Sequence, residues 1–508
     1  MANNTTIKKN VLANFLGKIW LALLSLIFVP IYISILGIEA YGIIGFYIVL
    51  QSLFQILDLG LGRSLNREIS LNAKKPDNFQ YIHNAVWTLE MVYWSISIFI
   101  VVLFLFISPL LANNWINSKV FSNDELGQIV LFIGVLIAAR WPVSFYKSGL
   151  MGLQEQVLIN SIDIVTSTMQ GVVGVLIIWK ISPSIQAFLL WQIVSSGLIL
   201  IAYVIALKSK LPKSIQPGEF DYKIIKKLSR FLAGVSGTTI LAILIMQIDK
   251  IVLGKMLPLD IFGYYMVAVM ISSKLLLFVA PFSTACFPQF VEYVGNGNSD
   301  KLVALYHKSC QFVAVAILPI AFFISIYSYE VLLLWTGDVT LSERIGFTLP
   351  VLILGTAING LLTIPYTIQL AFGWTRLGFM QNLLTIVFIV PLLIWLIDMY
   401  GMLGAASAWL FVNIAYLVVG MPIMHKKMLV GELSRWLFVD ILKPVIIPVV
   451  VMTVGKIILP TELSGWLLII YLFTILIIAA FSSLIGAEQV RIALIGTCAP
   501  LRNRLLGR

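Results

Sequence analysis

VLANFLGKIWLALLSLIFVPIYISIL, residues 11–36, carries a single charge, Lys18, in 26 residues. As a helix it would run roughly 39 Å, more than the roughly 30 Å hydrocarbon core of a bilayer. It is too long for the core of a secretory signal, and no small-residue cleavage site follows it. It is therefore expected to remain as a first membrane span. Similar runs recur to the far end of the 508-residue chain, which is 60% hydrophobic and only 11% charged, with mean hydropathy +0.99. A soluble chain would carry about 25% charge. A β-barrel would show alternation over segments of about ten residues, and none is seen. The fold class expected is an all-α polytopic membrane protein.

Fourteen spans are expected, at approximately 11–36, 41–66, 83–110, 126–150, 156–179, 184–207, 231–256, 261–291, 305–332, 345–372, 377–398, 403–425, 434–459 and 464–486. With the N-terminus in the cytoplasm, 24 of the 34 Lys and Arg fall in inner segments, 5 in outer ones and 5 within spans. That bias orients the chain with both ends inside. The net charge of +11 thus follows the inner surface, and no motif for nucleic acid accompanies it. Cys286, Cys310 and Cys498 fit no zinc spacing, and His83, His307 and His425 are scattered, so they read as interfacial residues and no metal site is expected. No cofactor is expected either.

The two halves repeat at a shift of about 221 residues. ILGIEAYGII (35–44) parallels MLPLDIFGYY (256–265), matching Glu39 with Asp260 and Gly42 with Gly263. ARWPVSFYKSGLMG (139–152) parallels LTIPYTIQLAFG (362–373), with Pro142 and Pro365 nearly in step. Six spans per half make the repeat parallel, about an axis along the membrane normal. The organisation expected is a six-helix lobe at 1–207, a basic cytoplasmic linker at 208–230, a second six-helix lobe at 231–427, two additional helices at 428–486 and a basic tail at 487–508. Two such lobes would enclose a cavity and expose it to either side by rocking. Prolines within spans, such as Pro30, Pro142 and Pro365, would bend the helices.

A charge inside a span costs roughly 2.5–3.5 kcal/mol, so each needs a reason. Arg140 lies roughly 21 Å into its span, Lys274 roughly 20 Å and Lys18 roughly 10 Å. These three are the candidate cavity cations. Lys250, beside Asp249, is expected to reach outward or to pair with another helix, and Asp440 to pair with Lys443 on one helix face. The acids Asp58, Glu90, Asp163 and Asp249 suit ion coupling, and they equally suit holding basic partners in place. Separated cations facing water favour an anion, foremost a phosphate or pyrophosphate. Aromatics such as Trp87, Trp94, Trp141, Trp374 and Tyr366 would suit sugar rings. Together these features match a lipid-linked anionic glycan.

DLGLGRSLNREIS, residues 58–70, closes the second span. Its glycines follow no strand and form no dinucleotide or phosphate loop. Arg63 and Arg67 are expected to anchor the span at the inner surface, while Gly60 and Gly62 admit a neighbouring helix. The matching stretch of the second half, PFSTACFPQF (281–290), has Pro281 and Pro288. Both halves are thus expected to weaken there, as a cytoplasmic gate.

The stretches LGIEAYGIIGFY (36–47), DLGLGRSLNRE (58–68), QIDKIVLGK (247–255) and YGMLGAASAW (400–409) resemble the polysaccharide transporters of the multidrug/oligosaccharidyl-lipid/polysaccharide exporter superfamily, most of all the O-antigen repeat-unit flippases (Wzx). The resemblance runs over essentially the whole chain. It implies alternating access by two six-helix lobes in the bacterial inner membrane. It implies an undecaprenyl-pyrophosphate-linked oligosaccharide as substrate, its head in a cationic cavity and its tail in lipid. It also implies coupling to a proton or sodium gradient. By span position, Lys18, Arg140 and Lys274 would be the cavity cations. Such a carrier can work as a monomer and is expected beside the polysaccharide polymerase. The alternatives are a cation or drug exporter of the same superfamily and a membrane glycosyltransferase or polymerase. The exporter would want an acidic or neutral cavity, and the enzyme an external loop with chemistry that this chain's short outer loops lack.

Overall fold

The computed structural model describes residues 4–214, 216–460, 463 and 465–493, with side chains described outside 4–8, 11 and 227–239. Cys498, Arg502, Arg504, Arg508 and most of the expected basic tail lie outside the described residues, as do the side chains of Lys8, Lys227 and Arg230.

Twenty α-helices and no strand occur among the described residues. The first ten are α1 (Asn4–Leu36), α2 (Ile38–Phe54), α3 (Leu61–Asn72), α4 (Phe79–Asn114), α5 (Asn123–Gly152), α6 (Gln156–Lys180), α7 (Ile185–Lys210), α8 (Tyr222–Met256), α9 (Leu259–Ser273) and α10 (Ala280–Gly295). They continue as α11 (Ser299–Ile326), α12 (Ser328–Thr336), α13 (Val339–Ile345), α14 (Thr348–Ala371), α15 (Thr375–Tyr400), α16 (Met402–Ala415), α17 (Met421–Met428), α18 (Leu433–Arg435), α19 (Lys443–Ile458) and α20 (Gly465–Gly486). Among the described residues, thirteen stretches are long and apolar enough to cross a membrane, and they coincide with thirteen of the expected spans. The remaining span, 231–256, lies within α8, part of which falls outside the described side chains.

The second span is not the continuous helix expected over 41–66. After α2 the chain tightens into a 3₁₀ turn, Gln55–Asp58, then passes through Leu59 (φ 45) and Gly60 (φ 86) before α3 begins. Two successive left-handed residues end any α-helix, and Gly60 tolerates that conformation because it has no Cβ. The second half repeats the device: α9, a 3₁₀ turn at Lys274–Phe278, then α10. There the restart is marked by Pro281 in the first turn, where a missing N–H costs nothing. Ile38 and Leu259, which begin α2 and α9, are separated by the repeat shift.

The chain forms two compact units, Met1–Gly263 and Tyr264–Arg508. In the first, α5 packs against α4, α7 and α3. Gly42 and Gly263 let the beginnings of α2 and α9 touch. A Cβ on Gly42 would sit 2.7 Å from the Leu259 carbonyl oxygen, and one on Gly263 would sit 2.3 Å from that of Ile38. Their neighbouring acids serve one loop, Glu39 accepting from Ser118 and from the Val120 N–H, and Asp260 pairing with Lys119 at 3.6 Å.

The expected linker begins as an ordered strap along α4. His83 bonds to the Pro212 carbonyl at 2.8 Å, Gln80 donates to that of Pro217 at 3.1 Å, and Asn84 accepts from the Glu219 N–H at 3.0 Å. Thr88 accepts from the Asp221 N–H at 2.9 Å, and the Asp221 carboxylate caps α8 by accepting from the Lys223 N–H at 2.8 Å.

In the second unit α11 packs against α14, α10, α19 and α20, around a core that includes Ile317, Ile353 and Ile364. The two additional spans are fastened to α11 and α12. Tyr327 donates to the Met452 carbonyl at 2.9 Å, and Lys456 pairs with Glu330.

Candidate functional site

The break after α2 opens a cavity of about 340 Å³ in the first unit. Gln51, Gln55 and Asp58 line it from α2 and its 3₁₀ turn, Gly60, Gly62 and Arg63 from the restart, Arg140, Trp141, Ser144 and Ser148 from α5, and Ile240 and Ile243 from α8. The volume is at the lower end of the range for small-ligand sites.

Arg140 is held by neutral acceptors. Its Nε donates to Ser196 Oγ at 3.0 Å and its Nη2 to Gln192 Oε1 at 3.1 Å, both on α7, and its guanidinium lies 5.7 Å from the centre of the Tyr47 ring. It makes no ion pair among the described residues. A guanidinium has five N–H donors, so this cradle fixes its orientation while leaving charge and donors for a ligand.

Asp58 ties the break together. It accepts from the Tyr93 hydroxyl and, at 3.4 Å, from the Gly62 N–H in the first turn of α3. Tyr93 is fully buried, with its ring centre 5.0 Å from that of Phe145 and 5.9 Å from that of Trp141. Gly62 presses α3 onto α5, since a Cβ there would meet Ser148 Oγ at 2.6 Å. Arg63 is exposed at the cavity. The buried indole N–H of Trp141 and hydroxyl of Tyr47 have no hydrogen-bond partner among the described residues.

The structure thus brings Arg140 together with Asp58, Gly60, Gly62 and Arg63. Arg67 lies further along α3 beside the buried Glu68, at 3.3 Å. Lys18 is exposed on α1 and lines no part of this cavity. Lys274 opens the 3₁₀ turn after α9 and so is not mid-helix. Like Pro281 and Pro288 of α10, it belongs to the second unit. Neither Lys18 nor Lys274 has a hydrogen-bond or ion-pair partner among the described residues.

The other acids all have partners. Asp163 pairs with Lys147 at 2.8 Å and accepts from Tyr203 at 2.8 Å. Glu90 accepts from Tyr146. Among the described residues Lys250 pairs not with another helix but with its neighbour Asp249, at 2.9 Å. Lys147, near the inner end of the span expected at 126–150, spends its charge on Asp163 of α6. Asp440 bonds not to Lys443 but to His307, and both His307 and His425 are buried within the protein. Reading the sequence for charge missed Tyr47, Tyr93, Gln51, Gln55, Gln192 and Ser196. Spacing could have found some of them, because Gln51/Gln55 and Gln192/Ser196 are polar pairs four apart, on one face of an apolar helix.

The model of a family described as polysaccharide biosynthesis protein matches residues 7–294. A putative O-antigen transporter from Shigella flexneri is 24% identical over 389 residues, which is 74% of this chain and 87% of that protein. The fold is similar to that of a lipid II flippase, MurJ, in an inward closed conformation, with TM-score 0.72 and 12% identity over 96% of this chain and 99% of that one. It is also similar to an inward-facing multidrug resistance MATE family transporter of the MOP superfamily, with TM-score 0.65 and 14% identity over 82% of this chain and 95% of that one.

Proposed function

The chain belongs to the polysaccharide biosynthesis protein family, and on that premise we propose that it is a flippase for an undecaprenyl-pyrophosphate-linked oligosaccharide, an O-antigen or similar repeat unit, in the bacterial inner membrane. The observation that carries this reading is the first-unit cavity, where Arg140 is oriented by Gln192 and Ser196 with no counter-ion among the described residues, and where Arg63 stands nearby. Guanidinium groups recognise phosphate oxygens through paired hydrogen bonds. Trp141, Gln51 and Gln55 offer a ring face and amides suited to sugar. A carrier of cationic drugs would be repelled by the same arginines.

In this reading the protein binds and moves its substrate by alternating access and makes or breaks no bond in it. Transport draws on a proton or sodium gradient, and both termini lie in the cytoplasm. Lys18 and Lys274 serve as further cations along the route, and Gly60, Gly62, Arg63, Arg67, Pro281 and Pro288 as the flexible cytoplasmic gate. The carrier functions as a monomer, beside the polymerase that uses its product.

Deleting the gene in its host tests the proposal. Undecaprenyl-linked repeat units should accumulate on the cytoplasmic face and surface polysaccharide should be lost. Normal surface polysaccharide in the deletion strain would overturn the reading.

A further inference from the structure

The second unit holds a separate cluster of buried polar side chains. His307 on α11 and Asp440, in the π-helical turn Trp436–Leu442 between α18 and α19, are both fully enclosed. His307 Nδ1 meets Asp440 Oδ2, and its Nε2 meets Glu432 Oε2 at 2.9 Å. Gln311, one turn along α11, donates from Nε2 to Asp440 Oδ1 at 2.9 Å. The backbone N–H of Gln489 donates to Gln311 Oε1 at 3.0 Å, which fixes the orientation of that amide.

The proton count of this arrangement is informative. A neutral imidazole offers one N–H and one lone pair, and an ionised carboxylate only accepts. A neutral His307 between two carboxylates would therefore turn one lone pair against another inside a buried site. Both contacts are attractive only when the group holds one further proton. His425 is a contrast in the same neighbourhood. Its nitrogens face the Met421 carbonyl at 2.9 Å and the Tyr306 hydroxyl at 3.0 Å, one acceptor and one donor, which a neutral ring satisfies.

We propose that His307, clamped between Asp440 and Glu432, is a proton-binding site, its imidazolium bridging α11 to the turn that leads into α19. A π turn inserts an extra residue into a helix and is concentrated at functional sites. Here it carries Asp440. Glu432 is partly exposed and gives the proton a way in. The three side chains are not arranged to hold a metal ion, because the two ring nitrogens face different carboxylates.

The other ionisable groups around the cluster are Tyr306 and Cys310 of α11, His425 of α17 and Arg435 of α18, the last 4.0 Å from Glu432. The remaining packed helices turn theirs elsewhere. Cys286 of α10 meets Ser309, Tyr366 of α14 and Glu292 of α10 are exposed, Lys443 of α19 is exposed, Lys456 pairs with Glu330, and Tyr471 of α20 donates to the Gly455 carbonyl. This site is independent of the transport reading and stands or falls without it.

The chain has three histidines, so full-length protein labelled with ¹⁵N-histidine in lipid bilayers gives three imidazole spin systems. At pH 7 one ring should carry protons on both nitrogens and persist when His83 or His425 is altered. It should vanish in His307→Gln and become a singly protonated ring in Asp440→Asn. Only singly protonated rings at pH 7, or a doubly protonated ring surviving in His307→Gln, would overturn the proposal. Should His307→Gln fail to fold, Glu432→Gln supplies the same assignment from a partly exposed position: the doubly protonated ring must be lost or shifted, and an unchanged spectrum overturns the proposal.

Discussion

Gly42 and Gly263 occupy equivalent places in the internal repeat and contact each other's helices reciprocally, Gly42 against Leu259 and Gly263 against Ile38. Such a swapped pair is what a local two-fold produces, since each residue meets the repeat partner of its counterpart's neighbour. Both contacts fall on backbone carbonyl oxygen, which cannot rotate away as a side chain can. Gly42→Ala and Gly263→Ala should each destabilise the protein by about 1–3 kcal/mol, the usual cost of overpacking. Thermal melting of the purified protein checks this, and a wild-type Tm for either variant would contradict it.

The Tyr93–Asp58 bond predicts a second stability effect. Tyr93→Phe leaves Asp58 with only the long bond from the Gly62 N–H, and should cost about 1.5–3 kcal/mol, the worth of a hydrogen bond to a charged group. Asp58→Asn keeps an acceptor for Tyr93 and should melt above Tyr93→Phe. The reverse order would show that Asp58 is not held as a carboxylate by this tyrosine.

Transport should depend on the arginines. Arg140→Ala and Arg63→Ala should each lower delivery of surface polysaccharide roughly 10- to 100-fold at equal membrane levels, the loss of one charge-assisted bond to phosphate. Arg140→Lys should not restore it, because a point charge cannot engage Ser196 and Gln192 together while presenting a planar fork. Full complementation by Arg140→Lys would show that charge alone suffices there.

Lys147 and Asp163 should behave as a coupled pair. Lys147→Ala strands a carboxylate beside Tyr203, so it should accumulate less and melt lower than the double variant Lys147→Ala/Asp163→Asn. Additive effects would mean that the 2.8 Å contact carries no coupling.

Much of the fold could be read from hydrophobic runs, because a helix that must cross lipid has to be apolar for its whole length. Arg140 stood out for the same reason, as a charge deep in oil. Its cradle did not, because Gln192 and Ser196 are neutral and sit on another helix. The two glycines of DLGLGR marked a weak point, but the left-handed Leu59 beside them could not be foreseen, since nothing in a leucine announces that conformation. Residues three apart share a face of an α-helix, which points Asp440 to Lys443. The π turn around Asp440 alters that register, and His307, more than a hundred positions away, takes the bond instead.

The strap along α4 has a mechanical consequence. Because Asp221 is bonded to Thr88 and also caps the next helix, α8 starts from a point held to α4. At 35 residues the helix is a rod roughly 52 Å long. A swing of about 10° around that pivot would carry its far end roughly 9 Å at this length. The chain thus has a long lever arm with its fulcrum at Thr88, and because that arm carries Ile240 and Ile243, loosening the hold of Thr88 on Asp221 would shift one wall of the cavity.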